Sequence, residues 1–159
     1  MAASANATET FYPPVSFYFN VEFQGLPNSS GNLDASFQEV SGLSATVETA
    51  NILEGGENRF THKVPVRVSY EKLVLKRGLS KESALLKWVS DSISQFQFSP
   101  ITLYIHLLNE AGASAPLLTW EVVNAYPTKL SMSNFNAEQN AVAIETLELN
   151  YEYFNIKSL

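Results

Sequence analysis

Two stretches of this chain alternate apolar and polar residues with a period of two, and that alternation most constrains the fold. In the first, Val15, Phe17, Phe19, Val21 and Phe23 are separated by Ser16, Tyr18, Asn20, Glu22 and Gln24. In the second, Ile101, Leu103, Ile105 and Leu107 are separated by Thr102, Tyr104, His106 and Leu108. Successive side chains of a strand point to opposite faces, so this spacing describes strands with one covered face. The apolar positions are aromatic or β-branched in the first stretch, which suits a pleated, half-buried surface.

The remaining segments extend that reading. Residues 1–12 lack periodicity and read as a flexible arm, which Pro13 and Pro14 end in an extended conformation. Gly25 to Asn32 is a loop by composition. Strands are expected at 35–40, at 43–49 and at 64–76, the last interrupted by Pro65. Residues 51–63, with Gly55-Gly56 in their middle, read as a protruding loop or hairpin. One helix is expected over about residues 81–96. Ser80 would cap it, Glu82 would suit its positive end, and Leu85, Val89 and Ile93 would form its apolar stripe with Leu86, Trp88 and Phe96 nearby.

After Pro100, 101–108 and 117–125 form a hairpin around a Gly- and Ala-rich turn, and 128–133 reads as another short strand. The last strand, 142–154, changes apolar phase between Ile144 and Leu147, which a β-bulge near Glu145 would absorb. The whole is mainly β with one flanking helix: a single antiparallel barrel or sandwich domain over residues 13–159, with no internal repeat.

Composition narrows the function. Charged residues make up 16% of the chain, below the roughly 25% usual in a domain, so part of the surface is free to meet partners. The net charge is −6, which disfavours a sequence-reading nucleic-acid binder but permits a channel that repels nucleic acid. With no cysteine, disulfides, thiolate metal sites and cysteine nucleophiles are excluded. No apolar run approaches the ~18 residues of a membrane helix. The first ten residues carry neither a basic nor an apolar signal region, so cytoplasmic synthesis without a signal peptide is expected.

Catalytic patterns are hard to find. His62 and His106 are the only histidines, and they lack the further ligands of a zinc site. Gly55-Gly56 is followed by Glu57-Asn58 where a phosphate cradle needs Lys and Ser or Thr. The glycines better serve a loop tip. Glu145, Glu148 and Glu152 could pair for hydrolysis only across a cleft that the sequence does not define. Lys76-Arg77 is too short for a nucleic-acid patch, and Trp88 and Trp120 lie in apolar patterns typical of core. No catalytic, metal or cofactor residues are assigned.

A set of short motifs, ordered along nearly the whole chain, resembles the tail tube proteins of contractile phages. The motifs are Phe37-Gln-Glu-Val-Ser-Gly-Leu43, Glu54-Gly-Gly56, Lys63-Val-Pro65, Leu73-Val-Leu-Lys-Arg-Gly78, Leu107-Leu-Asn-Glu110 with Gly112, Trp120, Asn124-Ala-Tyr-Pro127 and Ala143-Ile-Glu-Thr-Leu-Glu-Leu149. The family includes the inner tubes of phage-tail-like extracellular injection systems. The resemblance implies a barrel with a flanking helix, six subunits per ring, and rings stacked into a hollow tube inside a contractile sheath. Implied partners are the chain itself, the sheath protein, baseplate or tube-initiator and tube-terminator proteins, and luminal cargo. That cargo is a protein effector or DNA held without sequence-specific binding. No membrane anchoring is implied.

The resemblance also assigns residues. The 51–63 segment would reach neighbouring subunits and the adjacent ring through Glu54, Gly55 and Gly56, with Ile52, Leu53 and Phe60 as apolar anchors. The arm before Pro13 would pack on a neighbour. Gly25 to Asp34 is longer than the family pattern. Glu22, Glu148 and Glu152 are candidates for an acidic lumen. The alternative is a soluble β-barrel module that binds carbohydrate through Tyr18, Tyr104 and Tyr126.

Overall fold

A computed structural model of the protein describes residues 19–26, 37–53, 55–56, 59–80, 83–108, 116–134 and 142–158. The expected arm, the expected Gly25–Asn32 loop beyond Leu26, the start of the expected 35–40 strand and the 109–115 turn lie outside the described residues. The strands are β1 (Phe19–Gln24), β2 (Glu39–Ser41), β3 (Ala45–Ile52), β4 (His62–Tyr70) and β5 (Leu73–Gly78). The helix α1 (Ala84–Ser94) follows, then β6 (Ile101–Leu107), β7 (Leu118–Met132), β8 (Ile144–Asn150) and β9 (Tyr153–Ser158). All pairings are antiparallel; β3–β4 and β6–β7 are hairpins of consecutive strands, whereas β1–β6, β2–β5 and β5–β8 pair across long stretches of chain.

The main sheet runs β1-β6-β7-β8-β5-β2, with β9 also on β7. The 15-residue β7 holds it together: its first half pairs with β6 and β9, its second with β8. The sheet curls around Val21, Leu73, Leu75, Leu103, Val122 and Leu149, which are fully enclosed. Among the described residues the curl does not close, because β1 and β2 form the two ends of the strand order. The mainly β architecture with one helix is as expected; the barrel is open along a seam.

The strand expected over 64–76 divides at Glu71-Lys72 into β4 and β5, which lie in different sheets, and further details differ from the sequence reading. First, β7 runs through Pro127, where two strands were expected. A register break between Pro127 and Lys129 accommodates the proline, which has no N–H for the ladder. Second, the helix is shorter, and Ser83, not Ser80, caps it by accepting the Leu86 N–H. Its inward stripe is Leu85, Trp88, Val89 and Ser92, so Ile93 points to solvent. Ser92 fits that stripe because its hydroxyl donates to the Trp88 carbonyl at 2.8 Å.

Third, β8 has no bulge near Glu145. Glu145, Leu147 and Leu149 all face inward in unbroken alternation. The apparent phase change is a charge in the core. The Arg77 guanidinium on β5 donates to Glu145, its Nη2 donates to Ser83 Oγ at 2.7 Å, and it lies 5.6 Å from the Phe37 ring centroid. Both side chains are under 5% exposed. Arg77, whose place beside Gly78 suggests the strand-to-helix turn, lies within β5 and ties β5, β8 and the helix cap together. The expected last strand also divides, at Tyr151-Glu152, into β8 and β9.

Candidate functional site

Among the described residues the strands β3 and β4 pair only with each other and make a sheet of their own. Every residue of β3 is exposed, and so is β4 up to Val68. Together the two strands carry the valines and threonines typical of half-buried strands, yet no described residue covers either face along β3. Val47 and Val68 oppose one another and are about half exposed, and Val66 is 62% exposed beside the register break between Glu48 and Thr49. An isolated two-stranded hairpin is marginally stable in water, and exposed apolar patches of this kind mark contact surfaces.

The tip carries the residues singled out in sequence. Ile52 ends β3, opposite His62. Leu53 is 83% exposed, and Phe60 is half exposed with its ring edge-on to His62 at 4.9 Å. Gly55 and Gly56 form the turn, Gly56 with φ +95°, where a side chain would be strained. Glu54 lies outside the described residues. The protrusion is larger than the expected 51–63 segment, because strand pairing carries it down to Ala45 and Tyr70.

The root is built tightly, in contrast to the tip. Gly42 has φ +90°, and a Cβ there would lie 1.9 Å from the Lys72 carbonyl oxygen. Only glycine permits that backbone approach. Ser44 N–H donates to the Gly42 carbonyl at 2.9 Å, and Glu71 N–H donates to the Ser44 carbonyl at 3.3 Å. The Tyr151 hydroxyl donates to the same Gly42 carbonyl at 3.3 Å. Tyr70 packs on Tyr151 and Phe154 with centroids 5.8 and 5.5 Å apart. Burial pushes the Tyr151 phenol up from its ordinary range. Sequence reasoning missed this root. Its one signal was the Ser-Gly dipeptide, which reads equally well as a plain strand end.

The lumen candidates are not gathered in one place. Glu22 is on the outward face of β1, 3.6 Å from His106 Nε2. Glu148 is on the outward face of β8, bonded to Lys129 at 3.0 Å and Lys72 at 3.4 Å. Lys129 first, then Lys72, holds its carboxyl below the usual range. Glu152 is exposed at the bend between β8 and β9. With Glu145 enclosed by the core, the three acids of the C-terminal segment do not share a cleft. Among the described residues no group of three or more His, Asp or Glu side chains could hold a metal. No helix among them is long and apolar enough to cross a membrane.

The aromatic residues weighed as sugar platforms are engaged otherwise. The Tyr104 hydroxyl donates to Glu121 at 3.2 Å, and its ring stacks on His106 and faces Lys157 Nζ. Tyr126 is edge-on to Phe98, and its hydroxyl accepts from Asn150. Tyr18 lies outside the described residues. The carbohydrate alternative is not supported.

Known proteins share this fold. The family model described as T4-like virus tail tube protein gp19 matches residues 15–155. A chain of the cryo-EM structure of the anti-feeding prophage (AFP) baseplate is 33% identical, with a TM-score of 0.82 over 93% of this chain and 97% of that one. A chain of the extended sheath-tube complex of the PVC extracellular contractile injection system is 26% identical, with a TM-score of 0.79 over 99% and 100%. A chain of the AFP tube-terminating cap structure is 26% identical, with a TM-score of 0.78 over the whole of both chains. No curated protein matches the sequence. With nine-tenths of its length matched by one family model, and its fold shared end to end with chains of two such particles, this chain belongs to the T4-like virus tail tube protein family.

Proposed function

We propose that the protein is the inner-tube subunit of a contractile injection system or contractile phage tail. Six copies form a ring, and rings stack into a hollow tube that sheath contraction drives through a target envelope. The observation that carries this reading is the β3–β4 hairpin: a tightly rooted strand pair with both faces exposed, on a domain that otherwise buries a full core. Apolar side chains held out in water become favourable only when a partner covers them. Ile52, Leu53, Gly55, Gly56 and Phe60, with Glu54, reach the neighbouring subunit and the adjacent ring. Such head-to-tail contacts build open stacks.

The partners of this reading are the sheath, a baseplate or initiator protein, a terminator and a passive cargo, protein or DNA. The subunit works without catalysis and without a membrane anchor, and assembles in the cytoplasm before the particle is released. Glu22, Glu148 and Glu152 are the lumen candidates. Charge reversal at each should change cargo loading or release if they face the channel; unchanged loading removes that role.

Negative-stain electron microscopy of concentrated protein, alone and with its initiator, tests the function. Sixfold rings or hollow tubes are expected. A monomer at every concentration, with sheath and baseplate proteins present, overturns the reading.

A further inference from the structure

Among the described residues the seam between β1 and β2 holds a groove of about 680 Å³. Phe19, Ile105, Leu107 and Trp120 line one wall, and Phe37, Val40 and Leu43 the other. These side chains are apolar, and all but Ile105 are only half-buried. The uncovered surface runs on to Ile156, which lies opposite Trp120 on the same face and is 60% exposed. Glu39, the one charged residue of the lining among the described residues, is already bonded to Lys76 at 2.9 Å. The groove therefore suits an uncharged, apolar occupant.

Three stretches outside the described residues adjoin this lining along the chain. Residues 27–36 precede Phe37 and carry Leu33 as their one large apolar side chain; residues 109–115 follow β6 and carry none. Residues 1–18 end directly before Phe19, on the groove wall itself, and supply Phe11, Tyr12, Val15, Phe17 and Tyr18. Val15 and Phe17 are in phase with Val21 and Phe23, which face the core. Two residues of strand advance roughly 7 Å, so a continued β1 carries Phe17 and then Val15 along the seam. The run from Phe11 to Tyr18 has no charged residue, which matches the lining. Pro13 and Pro14 lack an N–H, so strand pairing ends there.

We propose that residues 15–18 continue β1 and seat Val15 and Phe17 in the β1–β2 groove of the same chain, as an internal plug. Alternation then turns Ser16 and Tyr18 outward. Because the segment is joined directly to the groove wall, its docking is intramolecular, and its effective concentration exceeds that of any free occupant. The plug covers an apolar slot flanked by unpaired strand edges, the kind of surface that recruits foreign strands. It is a property of the single subunit and does not rest on the tube reading.

The chain has no cysteine, so engineered pairs report without background. Val15→Cys and Phe17→Cys would each be combined with Val40→Cys and with Leu43→Cys, and the full chain oxidised mildly in dilute solution. At least one pair should close within one chain, running as a monomer on a non-reducing gel and lighter in mass by the two thiol hydrogens. Disulfides formed only between chains would mean that a neighbour's segment fills the groove, and would overturn the proposal. Closure in none of the pairs also overturns it. Hydrogen exchange on the dilute wild type, read by mass spectrometry, needs no substitution. Amides of residues 15–18 should exchange at least about tenfold more slowly than those of residues 2–10; equal rates overturn the plug. A third readout uses Trp120, which lines the groove. In a Trp88→Phe background, which leaves Trp120 as the one tryptophan, Phe17→Ser should shift its emission to the red and increase its quenching by acrylamide. Unchanged emission and quenching would show that Phe17 does not cover the groove, and would overturn the proposal.

Discussion

The β5–β8 ladder and the β3–β4 hairpin are written in nearly the same alphabet and have opposite fates. In the ladder, Leu73, Leu75 and Leu149 face inward at every second position and are fully enclosed. In the hairpin, Val47, Val66 and Val68 alternate in the same way and stand in solvent. Alternation states that a face is to be covered; it does not say by which molecule. The ladder finds its cover within the chain and sets stability. The hairpin does not, and its apolar surface stands in solvent, where the proposed function has a neighbouring copy cover it.

The strongest way to break this contrast is to disturb the ladder at its buried charge. Glu145→Ala strips Arg77 of its inward partner while leaving the guanidinium enclosed. Loss of one member of a buried pair costs about 3–5 kcal/mol, so the denaturation midpoint should fall sharply. A fall no larger than a surface substitution gives would mean that the pair is reached by water and that the ladder is less closed than the geometry shows.

Leu75→Ala should cost about 2–5 kcal/mol by opening a cavity between β2 and β8. The matched change in the hairpin, Val47→Ala with Val68→Ala, should stay near the roughly ±0.5 kcal/mol of surface changes, yet sharply reduce tube formation seen by electron microscopy. Urea denaturation and particle counts on the same samples check both. Equal stability losses would erase the contrast; a hairpin variant that still forms tubes would move the assembly surface elsewhere.

Gly42→Ala acts where the two regions meet. The left-handed backbone alone costs roughly 1–2 kcal/mol with a side chain, and contact with the Lys72 carbonyl forces the root to shift. The expected result is a moderately destabilised monomer whose hairpin no longer points as its neighbour needs, so assembly falls further than stability does. Hydrogen exchange should show faster exchange in β3 and β4 while β5 and β8 stay protected. Protection lost everywhere alike would mean the root serves the core rather than the hairpin.

Much of this was legible in the sequence, and the failures share a cause. The β6 alternation, the inward Val21 and Phe23, the single helix and the protruding glycine tip all follow from local periodicity, which needs no partner to be read. Residues that act across the fold did not show. Arg77 and Glu145 are 68 positions apart and broke the expected pattern because a paired charge took a place in the apolar phase. Tyr151 and Gly42 are 109 positions apart, and the turn geometry they fix has no local signature beyond the glycine. Pro127 looked like a strand end because the bulge that admits it is a property of the pairing with β8. The groove was invisible for the same reason: it is the space between two edges that only topology brings together.

The smallest expected effect is an acid titration, and it tests whether the polar outer surface of the main sheet contributes at all. Glu148 is held below the usual carboxylate range by Lys129 and then Lys72, and Glu121 by Lys157 and Asn155. A depressed folded value means the unfolded chain takes up protons first, so these groups contribute stability above the ordinary value of 4.5 and lose it as pH falls through their lower folded values. Both carboxyls lie on the outer face of the sheet, half-buried beneath their lysines, where solvent around the exposed lysines still screens much of such an attraction. A shallow decline in the thermal midpoint below pH 4.5 is therefore expected, reduced by Lys129→Met and weaker in high salt. The hairpin gives the matching control: Glu48 pairs with Arg67 at 2.5 Å on a strand pair outside the main sheet, so Arg67→Met should leave the decline unchanged. A decline that Arg67→Met abolishes would place the acid-sensitive stability in the hairpin, and would mean that β3 and β4 belong to the cooperative fold of the monomer.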